Sequence, residues 1–470
     1  MNRTGIFLAS AAMLALVALV AGVPHLTSGS PSQPDPAPRP RPSGSGSLSM
    51  TARLSHPFVA LGTQDVFATV DLRAVELANQ QRGAVNLALV IDRSGSMSGF
   101  KLNQAKQAAR QLISQLESRD RLAIVHYGSD VKSLDGLLAT ADNKQKLLAY
   151  VDGIFDDGGT NIAAGLTTAR DVLLSARNDF KVNRLILISD GQPTEGTTDT
   201  GELTNLVRDI RGYGVSVSSI GVGDDFNEQL MAGFAEVGAG AYAYLQDAAQ
   251  LSAIFQKDLN AAGTQVARGV TLTFRVPRGA QLQRVLGYSQ VSRRRDGDSE
   301  LVTVALPDFA ASQQERVVAH FTVNASTGGS LDVSALDLAY TDLLRDSAMH
   351  DEARLAAMAT EQQQVVLDNR DKDAIVFAAR ARAAANTERA AEQVAQGDRD
   401  GALKTLELNS ILFDEASAVA GPSALAEDRK SQNDFAAGIG SATGEEEGRA
   451  VQKQLRKKAR QDYGLMGSTY

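Results

Sequence analysis

The sequence predicts an α/β protein whose central part is a doubly wound, mostly parallel sheet flanked by helices. Short apolar runs lie at residues 85–91, 122–125, 185–188 and 215–220. Amphipathic stretches alternate with them, at about 101–118, 143–154, 162–178, 200–212 and 227–237. Strands that alternate with helices form crossover units, in which helices cover both faces of a parallel sheet. Ligands of such sheets bind where loops leave the carboxyl ends of the strands.

Composition narrows the classes of function. The 470 residues include 47 Lys or Arg and 55 Asp or Glu, which gives a net charge of -8 at pH 7. This balance predicts no basic face for nucleic acid, so we expect no nucleic-acid partner. The chain has no cysteine, which excludes disulfides, thiolate metal sites and cysteine nucleophiles.

The N-terminal segment predicts export. Residues 1–24 contain an apolar stretch at 5–23 that is long enough to span a bilayer, with Arg3 before it. A cleaved signal and an uncleaved membrane anchor both fit, and Arg3 is expected on the cytoplasmic side. Residues 25–49 form a Pro/Gly/Ser-rich linker that would hold the folded part away from the membrane. We expect an exported protein of the cell envelope, either membrane-anchored or secreted.

Strand-like sequence lies on both sides of the central part. Residues 50–83 and 263–345 alternate apolar and polar positions, and Gly-containing turns separate the segments. Two or three N-terminal strands could not bury a face by themselves. We therefore predict that residues 84–262 are an α/β domain inserted in an antiparallel β-sandwich.

The rest of the chain is predicted to be helical. Residues 346–422 are expected to form a helical hairpin region, in which helices at 374–396 and 401–419 flank Gly397 and Asp398. Residues 423–470 form a C-terminal tail with a basic amphipathic helix. A solvated helix is the expectation for this tail, and a lipid-surface role is the alternative.

Oxygen-bearing side chains follow the apolar runs of the central domain. Asp92, Ser94 and Ser96 come after the first run, Thr160 precedes a predicted helix, and Asp190 ends the run at 185–188. We expect them to converge at one edge of the sheet. Two carboxylates and three hydroxyls suit a hard cation that keeps several waters, such as Mg²⁺ or Mn²⁺.

This pattern resembles the metal-ion-dependent adhesion site of the von Willebrand factor type A (VWA) family, including bacterial secreted or membrane-anchored members. The resemblance covers about residues 84–262, and all five positions of the motif match. It implies that the two serines bind the ion directly, the threonine directly or through water, and the two aspartates mostly through waters. A carboxylate of a partner protein would fill the remaining position. It also implies that the last helix of the domain, at about 248–260, moves when that partner binds.

Other interpretations of these residues remain open. The polar residues could instead cap helices and turns, with Asn161 and Ser98 as N-caps. Arg93, inside the motif, is expected to be an exposed loop charge. His126 is the domain's one histidine, and a packed or surface position is expected for it rather than a general base.

Three functional hypotheses follow. The first is a non-catalytic, divalent-cation-dependent protein-binding protein of the adhesion type at the cell envelope. The second is an envelope assembly or regulatory subunit that uses the α/β domain to build a complex. The third, which the residues favour least, is a Mg²⁺-dependent phosphatase-like enzyme. Ser94-x-Ser96 stands where a second carboxylate would be needed, and the domain has no phosphate-binding Gly-rich loop and no Ser/His/Asp order.

Overall fold

The protein is described by a computed structural model covering residues 43–77, 82–223, 226–245, 259–288, 291–442 and 444–464. The predicted export segment at 1–24 and most of the linker at 25–49 lie outside these residues. So does most of the predicted mobile helix at 248–260. No helix within the described ranges has the length and apolar character needed to cross a membrane.

A six-stranded sheet forms the centre of the α/β domain. Its strands are β4 (Val85–Asp92), β5 (Arg121–Tyr127), β6 (Val131–Leu138), β7 (Val182–Ser189), β8 (Val215–Val222) and β9 (Ala239–Leu245). Their order is β6-β5-β4-β7-β8-β9, and all neighbours are parallel except β6, which pairs antiparallel with β5. Strands β4, β7 and β8 are buried along their whole length, as the apolar runs predict.

Helices cover both faces of this sheet. They are α1 (Phe100–Gln115), α2 (Ala141–Asp152), α3 (Ile162–Leu174), α4 (Thr200–Gly212) and α5 (Glu228–Val237). Asn161 caps α3, as the alternative interpretation of the polar residues has it: its side chain accepts a hydrogen bond from the Ala164 N–H at 3.1 Å. Ser98, which the alternative interpretation made an N-cap, caps no helix: α1 begins after Gly99, which has positive φ, and no side chain caps it. The predicted doubly wound fold is therefore confirmed.

Two sheets form the sandwich around this insertion, and their strands pair antiparallel except β2, which is parallel to β17. The first has the order β1-β3-β15-β11 and the second the order β12-β13-β10-β16-β17-β2, with β14 beside β10. The strands are β1 (Leu48–Leu54), β2 (Phe58–Ala60), β3 (Gly62–Ala74), β10 (Gln265–Val276), β11 (Ala280–Leu286), β12 (Val291–Asp296), β13 (Ser299–Ala305), β14 (Phe309–Ala310), β15 (Gln314–Ala325), β16 (Gly329–Asp342) and β17 (Ser347–Thr360). Because β3 pairs with β15 over twelve positions, strands from both sides of the α/β domain build one sandwich.

Strand β17 corrects the expected boundary at residue 345. The helical region was expected to start at 346, yet Ser347–Thr360 pairs with β16 in an antiparallel register. Alternate side chains such as Leu355, Ala357 and Ala359 enter the sandwich core. The alanine-rich composition favours a helix, but burial of one face against the core overrides that preference.

Five helices complete the described chain. They are α6 (Gln363–Asp368), α7 (Lys372–Ala395), α8 (Arg399–Ala420), α9 (Ala426–Ser441) and α10 (Glu445–Gly464). The predicted hairpin is formed by α7 and α8, which meet at Gly397 with φ of 80°. Ala378 and Ala381 of α7 pack against Leu286 and Val318 of the first sandwich sheet.

Helix α10 is not simply a solvated tail. Leu455 packs with residues of α7, α8 and α9. On the α/β domain, the Arg456 guanidinium lies 3.0 Å from the Glu228 carboxylate, and the Lys453 ammonium lies 3.3 Å from the Tyr244 hydroxyl. The basic residues of this helix therefore bind an acidic and aromatic surface of the same chain.

Candidate metal centre

The predicted site residues lie at the carboxyl edge of the central sheet. Asp92 is the last residue of β4, and Asp190 follows directly after β7, the neighbouring strand. Ser94 and Ser96 lie in the turn between β4 and α1, and Thr160 lies just before α3. The topology thus brings the loops that carry all five residues to one edge.

Asp92 is held by hydrogen bonds from three residues. The Ser94 N–H donates to its Oδ1 at 2.9 Å. The hydroxyls of Ser189 and Tyr127 donate to its Oδ2 at 2.6 and 3.2 Å. The side chain is fully buried. These donors fix the carboxylate at the end of β4.

The electrostatic surroundings of Asp92 favour a nearby cation. Burial raises the pKa of this carboxyl to about 6; hydrogen bonds from Ser189 and Ser94 lower it, and the neighbouring Asp190 raises it. A carboxyl with a raised pKa is one whose negative charge is poorly compensated. A positive ion close by would stabilise the charged form.

Backbone hydrogen bonds join the loops that carry the hydroxyl residues. The Gly95 N–H donates to the Gly158 carbonyl at 3.0 Å. The carbonyl of Thr160 accepts hydrogen bonds from the N–H groups of Thr194 and Glu195 at 3.1 and 3.2 Å. The Ser94 and Ser96 hydroxyls lie 3.1 Å apart. The loops around β4, α3 and β7 therefore form one connected rim.

Asp190 supplies an oxygen that is available to a ligand. Its side chain is fully buried, and its Oδ1 has no hydrogen-bond partner. Its Oδ2 lies 3.2 Å from the ammonium of Lys101. An unpaired buried carboxylate oxygen is costly, so its presence indicates a position made for a cation or water.

This donor set fits a hard divalent cation. The five residues offer only carboxylate and hydroxyl oxygens, the ligands that Mg²⁺ and Mn²⁺ prefer. Within the described ranges, no group of three or more His, Cys, Asp or Glu side chains could hold a metal ion, and the candidate site itself has only two carboxylates. When bound, such an ion would supply a positive charge able to accept an oxygen ligand from another molecule.

Arg93 corrects the expectation of an exposed loop charge. Its side chain is only 3% exposed and forms ion pairs with Asp130 and Asp157. Its Nη1 also donates to the Asp157 carbonyl at 3.2 Å. Because Asp157 lies in the loop that leads to Thr160, the guanidinium positions that loop against the end of β5.

His126 is a packed residue, as expected. It is 7% exposed and its ring lies 5.6 Å from that of Tyr150. Burial lowers the pKa of His126 to about 4, and the positive charges of Arg93 and Lys132 act in the same direction. The imidazole is therefore neutral at physiological pH.

The fold is that of a von Willebrand factor type A domain. The sequence model of that domain matches residues 86–257. This is the domain that the sequence resemblance indicated, within slightly narrower bounds. The chain therefore contains a VWA domain, set in a longer polypeptide.

Known proteins share parts of this sequence. The uncharacterized protein YfbK of Escherichia coli is 28% identical over 48% of this chain. Inter-alpha-trypsin inhibitor heavy chain H1 of Sus scrofa is 35% identical over 30% of it. The chain spans 40% of the length of the first and 16% of the second. An uncharacterized Synechocystis protein is 23% identical, over 70% of this chain and 78% of its own length.

Solved structures show the same fold. A von Willebrand factor type A protein from Catenulispora acidiphila has a TM-score of 0.66 at 18% identity, and 87% of this chain and 96% of that chain are covered. The ArnB paralog VWA2 from Sulfolobus acidocaldarius has a TM-score of 0.55 at 16% identity, with 89% and 99% covered. At these coverages the likeness extends beyond the VWA domain to the sandwich and the helical region.

Sequence reasoning missed three residues of the site. Tyr127 and Ser189 bind Asp92, and Lys101 binds Asp190. Tyr127 and Ser189 end their strands at the same edge as Asp92, a position that could have marked them. No sequence signal distinguishes Lys101 from Lys106, the other lysine of α1.

Proposed function

We propose that the protein is a non-catalytic binding protein that captures a carboxylate of a partner protein through a divalent cation. Asp92, Ser94, Ser96, Thr160 and Asp190 would hold Mg²⁺ or Mn²⁺ at the carboxyl edge of the VWA sheet. The observation that carries this proposal is the buried, unpaired Oδ1 of Asp190 on a rim of hydroxyl residues. VWA domains are protein-interaction modules, which supports a protein partner.

This chain's own residues prepare the site. Tyr127 and Ser189 orient the Asp92 carboxylate, so that its position does not depend on the ion. Arg93 holds the loop that leads to Thr160. A site assembled before the partner arrives loses little conformational entropy on binding, which favours affinity.

The test is capture of partner proteins on the immobilised full chain. Capture is expected in Mg²⁺ and is expected to be lost in EDTA. Asp190→Asn, which keeps the shape of the side chain, should abolish it. Ser96→Ala should weaken capture, whereas Ser98→Ala, two residues away and also exposed, should leave it unchanged.

A separate experiment tests whether the captured partner must present a carboxylate. Captured material is eluted with EDTA, its carboxyl groups are amidated with a carbodiimide, and rebinding is measured. The proposal expects rebinding to be lost after amidation and retained after mock treatment. Capture that is equal in Mg²⁺ and EDTA would contradict the proposal.

We also propose that the protein acts at the cell envelope. The apolar stretch at 5–23 and the proline-rich linker support this proposal. Cell fractionation with an antibody to the folded part should place the protein in the membrane or extracytoplasmic fraction. Full-length protein in the soluble cytosolic fraction would contradict it.

A specific contact favours a second candidate, an assembly or regulatory subunit. Helix α10 already occupies one flank of the VWA domain through Arg456 and Glu228. Under this hypothesis, deletion of residues 445–470 would change which proteins are captured, even in EDTA. The phosphatase-like hypothesis predicts release of phosphate from p-nitrophenyl phosphate in Mg²⁺, and we expect none.

A further inference from the structure

Lys101 reaches the metal-site carboxylate from a distant part of the chain. It is the second residue of α1, and its ammonium lies 3.2 Å from Oδ2 of Asp190, 89 residues further along the chain. The Lys101 side chain is 17% exposed, and that of Asp190 is fully buried. A lysine here therefore points its charge inward, toward the rim of the site.

This position is electrostatically unusual for a lysine. The first turn of a helix carries partial positive charge from its free N–H groups, which disfavours a cation there. Removing an ammonium from water adds a further cost. The negative charge of Asp190, with Asp92 nearby, helps to offset both.

Other cations of α1 lie elsewhere. The Lys106 ammonium donates to the Asp152 carbonyl at 3.0 Å and lies 5.2 Å from the centre of the Phe155 ring. Arg110 pairs with Asp152. Lys106 therefore offers a matched control, a lysine on the same helix that contacts no proposed metal ligand in the described structure.

The charges of the site indicate that Lys101 and a metal ion compete for the same carboxylates. Asp92 and Asp190 together carry two negative charges. The ammonium neutralises one of them, and a divalent cation neutralises both. If the two cations stayed together, the site would carry a net positive charge in a region shielded from water, where like charges repel strongly.

We infer that Lys101 competes with the divalent cation for Asp190 and thereby sets the metal concentration at which the site fills. This inference rests on the proposed function. The ammonium is an internal counter-ion that leaves the carboxylate when metal binds. Metal binding therefore includes the cost of breaking the ion pair, and the site requires more metal than its oxygen donors alone would need.

The first test is a calorimetric titration of Mg²⁺ and of Mn²⁺ into the full chain. Methionine in Lys101→Met keeps the unbranched shape of the lysine side chain but carries no charge. It is expected to bind either ion at least ~10-fold more tightly than the wild type, since one opposing positive charge is gone. Lys106→Met should match the wild type. Equal or weaker binding by Lys101→Met would overturn the inference.

The second test is thermal unfolding with and without metal. In EDTA, Lys101→Met should unfold at a lower temperature than the wild type and Lys106→Met, because Asp190 loses its cation. Saturating Mg²⁺ should raise the melting temperature of Lys101→Met more than that of the wild type. An unchanged melting temperature in EDTA would show that the ammonium is not a counter-ion, and would overturn the inference.

A further variant and the pattern of outcomes separate the two proposals. Lys101→Arg keeps the charge, so the variant should bind metal no more tightly than the wild type. It replaces Lys101→Met in the titration if Lys101→Met does not fold, and tighter binding by Lys101→Arg would then contradict the inference. Equal metal binding by the wild type and both charge-removing variants rejects the inference and leaves the metal site intact. Absence of metal binding in all of them rejects both proposals.

Discussion

The backbone N–H of Asn227 donates a hydrogen bond to the carbonyl oxygen of Asp190 at 2.7 Å. The Asn227 side chain also caps α5 by accepting a hydrogen bond from the Leu230 N–H. The next residue, Glu228, pairs with Arg456 of α10. Short contacts thus connect the loop after β7, the start of α5 and α10.

Replacing Arg456 should loosen α10. In Arg456→Ala, the loss of a partly buried ion pair should cost about 1 kcal/mol. We expect faster hydrogen exchange at residues 445–464 and little change in the sandwich. Arg354→Ala, which removes an exposed ion pair with Asp332 in the sandwich, is the control. Unchanged exchange in α10 would show that its docking does not depend on this contact.

Replacing Arg93 should destabilise the domain and disturb the Thr160 loop. Its partners Asp130 and Asp157 are exposed, so they regain water, and the expected loss in Arg93→Met is about 1–2 kcal/mol. Urea unfolding measures this loss, and metal affinity should fall with it. Arg110→Met, an exposed arginine paired with Asp152, should lose less than half as much. Equal effects of the two changes would contradict a positioning role for Arg93.

Replacing glycine with alanine should have opposite effects on stability at two positions that lie in helices. A Cβ at Gly165 would lie 2.5 Å from Cδ1 of Tyr127, whereas a Cβ at Gly233 would meet nothing within 4 Å. Gly165→Ala should cost about 1–3 kcal/mol through overpacking. It should also weaken metal binding, because Tyr127 orients Asp92.

Gly233→Ala is the control for that change. It should stabilise the protein by about 0.5–1 kcal/mol, since alanine favours a helix. Chemical unfolding and metal titration on both variants measure these effects. A Gly165→Ala protein as stable as Gly233→Ala would refute the packing of Tyr127 on α3.

The sandwich should lose stability as the pH rises from about 4.5 to about 7. Burial raises the pKa of Glu315 from its ordinary 4.5 to about 7, although a hydrogen bond from Gln313 lowers it. Between these values the folded state binds more protons than the unfolded state. The contribution of this group is therefore fully present below pH 4.5 and is lost as the pH rises through 7.

Glu315→Gln removes this titration. Relative to the wild type, the variant should gain up to about 3 kcal/mol between pH 4.5 and pH 8. Chemical unfolding at several pH values measures the difference. Glu352→Gln, at an exposed position of β17, should follow the wild type at every pH. A pH-independent difference between Glu315→Gln and the wild type would contradict the assignment.

Strands buried on both faces were predictable from sequence. The runs that became β4 and β7 are almost wholly apolar, and their ends located Asp92 and Asp190. Strand β6 was missed because it is an edge strand with polar, partly exposed residues. Strand β9 was missed because small residues and tyrosines give it no apolar run.

The missed features depend on tertiary structure. The strand at 347–360 lies where the helical region was expected to begin, and its pairing with β16 decides the outcome. The contact of Lys101 with Asp190 joins residues that are far apart in sequence. The burial of Arg93 follows from two loops that close over it. Local patterns carry no information on such contacts.

The central claim is that these five oxygen donors hold a divalent cation. Calorimetric titration of Mg²⁺ and Mn²⁺ into the full chain, its Asp190→Asn variant and an Asp171→Asn control tests it most directly. Asp171 lies on α3 and its side chain is 61% exposed. The account predicts one ion per chain in the wild type and the control, and binding at least ~10-fold weaker in Asp190→Asn because a charge that offsets the ion is lost. Equal affinity in all three proteins would contradict it.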